Sequence, residues 1–216
     1  MTSTLASLDL GHNEFTKIPI EALRNLKVLN WLNLQNNYVS ELEAEMDWGH
    51  LADSLSVLTL SNNALVVLRA GALSPLRRLA QLDLAGNRLR AIAAAALPPS
   101  LAMLRLSDNL LLHALCPALA HLPRLRHLHL RNNALGLDLV TPLNHSCGRE
   151  RLELDVLDLS HNELDDRFEL AFQRGPRARR LVLDLNEFSS VPPFVAASGR
   201  IERLSMSHNK IDRISE

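Results

Sequence analysis

Aromatic side chains are scarce in this chain. They make up 4% of 216 residues, whereas 47% of the residues are hydrophobic. Any core must therefore be aliphatic, and leucine supplies most of it. Cysteine is almost absent, with only Cys116 and Cys147, which excludes a disulfide-stapled scaffold. Charge of either sign is not in excess. Lys and Arg number 23 against 24 Asp and Glu, for a net charge of −1. Such a balance gives no global attraction to nucleic acid or to an acidic membrane surface. Long apolar runs are missing too. The stretch Leu110 to Pro123 is interrupted by His113 and His121 and falls short of the ~20 residues that a membrane-spanning helix needs. The first residues, Met1 to Leu10, lack a basic segment followed by an apolar one, so no secretory signal is expected there.

What is present is repetition, which must be sought before secondary structure is assigned. Nine asparagines, at positions 13, 37, 63, 87, 109, 133, 162, 186 and 209, are spaced by 24, 26, 24, 22, 24, 29, 24 and 23 residues. Five residues before each stands leucine, from Leu8 to Leu204. Three before stands leucine again, from Leu10 to Leu183, with Met206 in the last copy. Two after stands another apolar residue, from Phe15 to Ile211. Leu-x-Leu has strand periodicity, with two leucines on one face and the intervening residue on the other. An amide that both donates and accepts suits the turn that follows, where backbone groups would otherwise be buried unpaired. No copy can bury its leucines alone, so stability must come from stacking neighbours.

The phrase Leu79-x-x-Leu82-x-Leu84-x-x-Asn87-x-Leu89 and its eight sister copies resemble the leucine-rich-repeat family over essentially the whole of 1–216. The period and the return segment Leu68-x-x-Gly71-Ala-Leu73-x-x-Leu76 resemble the typical class of about 24 residues. That class is found in animal extracellular and receptor proteins such as chaoptin, Slit and the Toll-like ectodomains. The resemblance implies an α/β solenoid, a curved horseshoe with a parallel sheet on its concave face and turns or short helices on its convex face. It implies a single domain of about nine repeats. Extracellular members usually carry cysteine-rich caps, and neither end here has one, so the array reads as a piece of a longer protein.

Between the repeats, Glu43 to Leu51 has the composition of a helix, with Met46 and Leu51 toward the core and Trp48 as a convex packing residue. Pro98-Pro99 and Pro192-Pro193 lock extended returns. The sixth repeat is the longest, and its loop carries Asn144-His145-Ser146, the sequon for N-glycosylation. Cys116 and Cys147 fall on the convex side of adjacent coils. They either pair, in an oxidising compartment, or remain a small buried hydrophobe and a free loop thiol.

No catalytic constellation, phosphate loop or metal-ligand set emerges, so neither an enzyme nor a cofactor is expected. His12, His161 and His208 share one slot in three distant repeats and cannot converge. His127 and His129 face the same way about 7 Å apart and supply two ligands at most. The informative slots are those that point off the concave sheet. One column carries Trp31, Val57, Met103 and Val156, apolar and large residues that a solvated face does not require, and farther along it Arg180. Beside it lies a polar group of Arg105, His127, His129 and Arg131, flanked by Asp83 and Asp158. One interpretation is a partner-binding patch built from Trp31, Val57, Met103, Arg105, His127, His129, Arg131, Asp158 and Arg180. The other is a self-compensated ladder, Asp83 with Arg105 and His129 with Asp158, that only keeps the face soluble. The expected function is recognition of a protein partner through the concave face, in a cell-surface or secreted adhesion or receptor protein. The alternative is an intracellular scaffold or adaptor, with thiols reduced and Asn144 unmodified.

Overall fold

A computed structural model describes residues 4–111, 115–135, 152–168, 177–197 and 199–213, without the side chains of 116, 196 and 197. The sequon Asn144, Cys147 and the side chain of Cys116 lie outside the described residues, as does any bridge between the two thiols.

Each repeat contributes one short strand. In order these are β1 (Ser7–Asp9), β2 (Trp31–Asn33), β3 (Val57–Thr59), β5 (Gln81–Asp83), β7 (Met103–Arg105), β8 (His127–His129), β9 (Glu153–Asp158), β10 (Arg177–Val182) and β11 (Arg203–Ser205). They form one nine-stranded, all-parallel sheet in chain order. On the return side, β4 (Val67–Leu68) pairs in parallel with β6 (Ala91–Ile92). The sheet register aligns slot with slot. Trp31 stands opposite Val57, Gln81 opposite Met103, and Met103 opposite His127. The columns anticipated from the repeat are the columns of the sheet.

The core runs through the middle of the coil and is almost wholly leucine. Leu32, Leu58, Leu82, Leu104, Leu128, Leu157 and Leu181 stack one above another and are all but fully buried. Leu8 and Leu10 in the first coil, and Leu204 and Met206 in the last, are only partly buried, because each has a packed neighbour on one side. Trp48 lies on the return side and is fully enclosed. Its indole Nε1 donates to the Ala72 carbonyl of the next coil at 3.0 Å. Short helices occur at Ile20–Leu23 (α1), Leu51–Ser54 (α2), Cys116–Leu119 (α3) and Phe194–Ala197 (α4). The helix expected over Glu43–Leu51 is not there, and α2 begins only at Leu51. Glu45 and Gly49 both take left-handed backbone, with φ of 59° and 52°, and two such residues break any helical run. At Gly49 a Cβ would sit 2.5 Å from the Arg24 carbonyl oxygen.

The asparagines form a continuous ladder. Asn37 Nδ2 donates to the carbonyls of Leu34 and Gln35 in its own turn and of Leu10 in the previous coil, and its Oδ1 accepts from Phe15 N–H. Asn63, Asn87 and Asn109 repeat the pattern. Just before each ladder asparagine the chain is left-handed, at His12, Asn36, Asn62, Gly86, Asp108, Asn132, His161, Leu185 and His208. That geometry explains the recurrent histidine of this slot. Polar residues with short side chains, and glycine, tolerate it best. Leu185 alone is apolar, and it is 39% exposed. Replacing Leu185 with Asn is expected to stabilise the fold by about 0.5–1 kcal/mol, since an ordinary side chain in this conformation costs roughly 1–2 kcal/mol. A urea melt checks it, and a lower midpoint would show that Leu185 makes contacts worth more than the strain.

Candidate functional site on the concave face

All nine side chains expected at the partner-binding patch lie on the open face of the sheet. The structure groups some of them and separates others. Trp31 and Val57 are direct neighbours, both half-buried. Gln81 separates them from Met103. Arg105 stands opposite His129, and Met103 opposite His127, so these four form one cluster across β7 and β8. Arg131 follows β8 at its exit and is exposed. Asp158 stands opposite His129. Arg180 is farther along, beyond Val156.

The charge ladder is only half formed. Arg105 Nη1 lies 3.6 Å from Asp83 Oδ2. Among the described residues, no ion pair joins His129 to Asp158. Asp158 is engaged by its own turn, accepting from Ser160 N–H at 3.0 Å and from the Ser160 hydroxyl at 2.6 Å. The same device recurs along the middle column. Asp9 accepts from Gly11 N–H, Asn33 from Gln35 N–H and Asp83 from Ala85 N–H. These side chains cap the strand exit, as Asp and Asn do in Asx turns. The sequence suggested a role only for Asp83 and Asp158, as flanking charges of the patch or members of a charge ladder. The recurring Asp or Asn in the middle column, four residues before the ladder asparagine, was the signal that could have identified them.

His129 is held below the ordinary histidine pKa. Burial against its neighbours is the main cause, opposed by Asp158 and reinforced by Arg105 and His127. The imidazole is therefore the neutral, hydrogen-bonding form at neutral pH. Arg105 and Arg131 bring fixed positive charge to this cluster.

Two hollows lie among the described residues. One, of about 20 Å³, lies on the concave face between Val57, Gln81, Asp83, Met103 and Arg105. The other, of about 210 Å³, lies at the strand-entry rim between Arg126, Glu153, Asp155, Arg179 and Arg200. Both are smaller than the ~300–1,000 Å³ of a small-molecule site. Among the described residues, no group of three or more His, Cys, Asp or Glu side chains is placed to hold a metal ion. No helix among them is long and apolar enough to cross a membrane. The face offers an extended, shallow surface with scattered apolar and cationic groups.

A stack of parallel strands closed by an asparagine ladder defines a leucine-rich-repeat solenoid, and the chain belongs to the leucine-rich-repeat family. A family model described as "Leucine rich repeat" matches residues 3–50 and 45–89. Podocan-like protein 1 from Homo sapiens is 34% identical over 211 residues, covering 96% of this chain and 39% of that protein. Chaoptin from Drosophila melanogaster is 28% identical over 212 residues, covering 96% of this chain and 16% of that protein. The chain thus spans well under half the length of either. Among solved structures, the APL1 leucine-rich repeat domain superposes with a TM-score of 0.68 at 27% identity, over 98% of this chain and 50% of that one. The LRIM1/APL1C complex gives 0.69 at 25% identity, over 98% and 36%.

Proposed function

We propose that this chain is a protein-recognition module that binds its partner through the concave face of the sheet, within a cell-surface or secreted adhesion or receptor-type protein. The observation that carries this reading is the partial exposure of Trp31, Val57 and Met103, half-buried in one column of the sheet, near exposed Arg105 and Arg131 on a face the fold leaves open. Tryptophan and arginine are the side chains most enriched at binding hot spots. The backbone of that face is fixed by the ladder and the leucine core, so little is ordered on binding and the entropic cost is low. The solved LRIM1/APL1C neighbour is itself a complex. The cell-surface or secreted setting rests on likeness to chaoptin and podocan-like protein 1 and on the sequon at Asn144. In that setting Asn144 carries a glycan, and Cys116 and Cys147 have the chance to pair.

The test is capture by immobilised protein. Wild type retains a specific set of extracellular proteins. The triple variant Trp31→Ala, Arg105→Glu, Arg131→Glu loses them, and a variant of exposed residues outside the concave columns, Tyr38→Ser with Val66→Ser, keeps them. Equal capture by the concave variant would overturn the proposal.

A further inference from the structure

Arginines gather over β9 to β11, and most of them are neutralised. At the strand-entry rim, β9 and β10 are six residues long where the other strands of the sheet have three. The extension carries alternating charges. Arg177 pairs with Glu153 at 3.7 Å, and Arg179 with Asp155 at 3.8 Å and Glu202 at 3.9 Å. Arg200 pairs with Glu153 as well.

Arg180 and Arg203 are different. They stand directly opposite one another in the register of β10 and β11, in the column that contains Trp31, Val57 and Met103. Both are exposed. Among the described residues neither has an acid within ion-pair distance. Like charges directly opposite on adjacent strands oppose the pairing, so the fold gains nothing from this arrangement. The acids that share the face are occupied. Asp158 is held by Ser160, and Asp184 accepts from the Ser205 hydroxyl and from Ser207 N–H, both at 2.7 Å. The strands are ~4.8 Å apart, which lets carboxylates above them be gripped by two planar, multi-donor guanidinium groups.

We infer that Arg180 and Arg203 form an anion subsite of the concave face, one that takes the carboxylates of an acidic segment in a protein partner. The inference rests on the concave-face reading above and adds the chemistry of the partner. A protein acid fits better than a sulfated polysaccharide. The two guanidiniums are flanked by half-buried Val156 and Val182, so the subsite offers two unpaired cations, too few to match the denser charge of a sulfated polysaccharide. Apolar flanks beside two cations match a segment in which acids alternate with apolar side chains.

The experiment is fluorescence anisotropy at about 0.1 M salt, where the screening length is ~10 Å. The probes are labelled octaglutamate, octaglutamine and a heparin octasaccharide. Octaglutamate binds wild type and octaglutamine does not. Arg180→Gln with Arg203→Gln weakens octaglutamate by about tenfold or more, as loss of charge-assisted bonds implies. Arg177→Gln with Arg179→Gln, at the neutralised rim, changes it less than about twofold. Circular dichroism confirms folding, and Arg203→Gln alone serves if the double variant does not fold. Unchanged affinity in the Arg180/Arg203 variant, an equal loss at the rim, absence of octaglutamate binding, or tighter binding of the heparin octasaccharide than of octaglutamate would each overturn the inference. If the Arg180/Arg203 variant also captures partners normally while the Trp31/Arg105/Arg131 variant does not, the concave face stands and only the anion subsite falls.

Discussion

Replacing Trp48 with Ala is expected to destabilise the protein by about 3–5 kcal/mol, the usual range for removing a large buried aromatic side chain. Trp48 is 1% exposed, in a chain with two tryptophans. It fills the return side of the second coil, where the left-handed Glu45 and Gly49 prevent a helix from doing so. Truncation empties that space, and it strips the buried Ala72 carbonyl of its indole donor. Trp48→Phe separates the two effects. It keeps most of the ring and loses the donor, so it costs about 1–3 kcal/mol. Urea melts read both. If Trp48→Ala lost less than Trp48→Phe, the neighbouring coils would have to collapse into the space, and the rigid return side described here would be wrong.

Asn109→Ala is expected to cost about 2–4 kcal/mol. Asn109 is 6% exposed and makes four hydrogen bonds. Its Nδ2 donates to the carbonyls of Leu84, Leu106 and Ser107, and its Oδ1 accepts from Leu89 N–H. The carbonyls of Leu84 and Leu106 keep a second donor, from Asn87 and Asn133 respectively. The Leu89 N–H does not, and a buried orphan donor costs ~1–3 kcal/mol beyond the lost bonds. The double coverage limits the damage to one coil. Asn109→Asp preserves size and the acceptor for Leu89 but sets a carboxylate against three carbonyls. It is therefore expected to be at least as destabilising as Asn109→Ala. A milder Asp variant would show that the acceptor bond to Leu89 outweighs all three donated bonds.

The repeat, its register and the columns of the concave face were legible because they depend on a period of two in the strand and on leucine at fixed spacing. Sheet pairing of Trp31 with Val57 and of Arg105 with His129 follows from counting back from each asparagine. The segments that did not follow the sequence expectation are those set by backbone conformation. Glu43 to Leu51 has helical composition, yet propensity is a weak prior, and the close approach of Gly49 to the Arg24 carbonyl fixes a different path. The middle column looked like a charge ladder. Asp158 shares a column with His129, but the nearest unsatisfied donors are in its own turn, at Ser160. A local bond that needs no reordering of a long side chain wins over an exposed pair of small value. The state of His129 was undecidable from sequence, because its neighbours include charges of both signs. Its burial between β7 and β9 lowers the pKa.

These distinctions divide the chain into a scaffold and a face. The leucine stack, Trp48 and the asparagine ladder hold the sheet, and the Asx turns of Asp9, Asn33, Asp83 and Asp158 finish its strands. Trp31, Val57, Met103, Arg105, Arg131, Arg180 and Arg203 remain without a comparable structural duty, apart from the exposed pair of Arg105 with Asp83. Exposed pairs of that kind contribute ~1 kcal/mol or less.

Hydroxyl-radical footprinting of the partner-bound protein tests the claim for this face most directly. Trp31 and Met103 report the concave side, and Tyr38, 62% exposed, serves as a reference outside the concave columns. Binding is predicted to suppress oxidation of Trp31 and Met103 and to leave Tyr38 unchanged. Protection of Tyr38 with Trp31 and Met103 oxidised as in the free protein would contradict it.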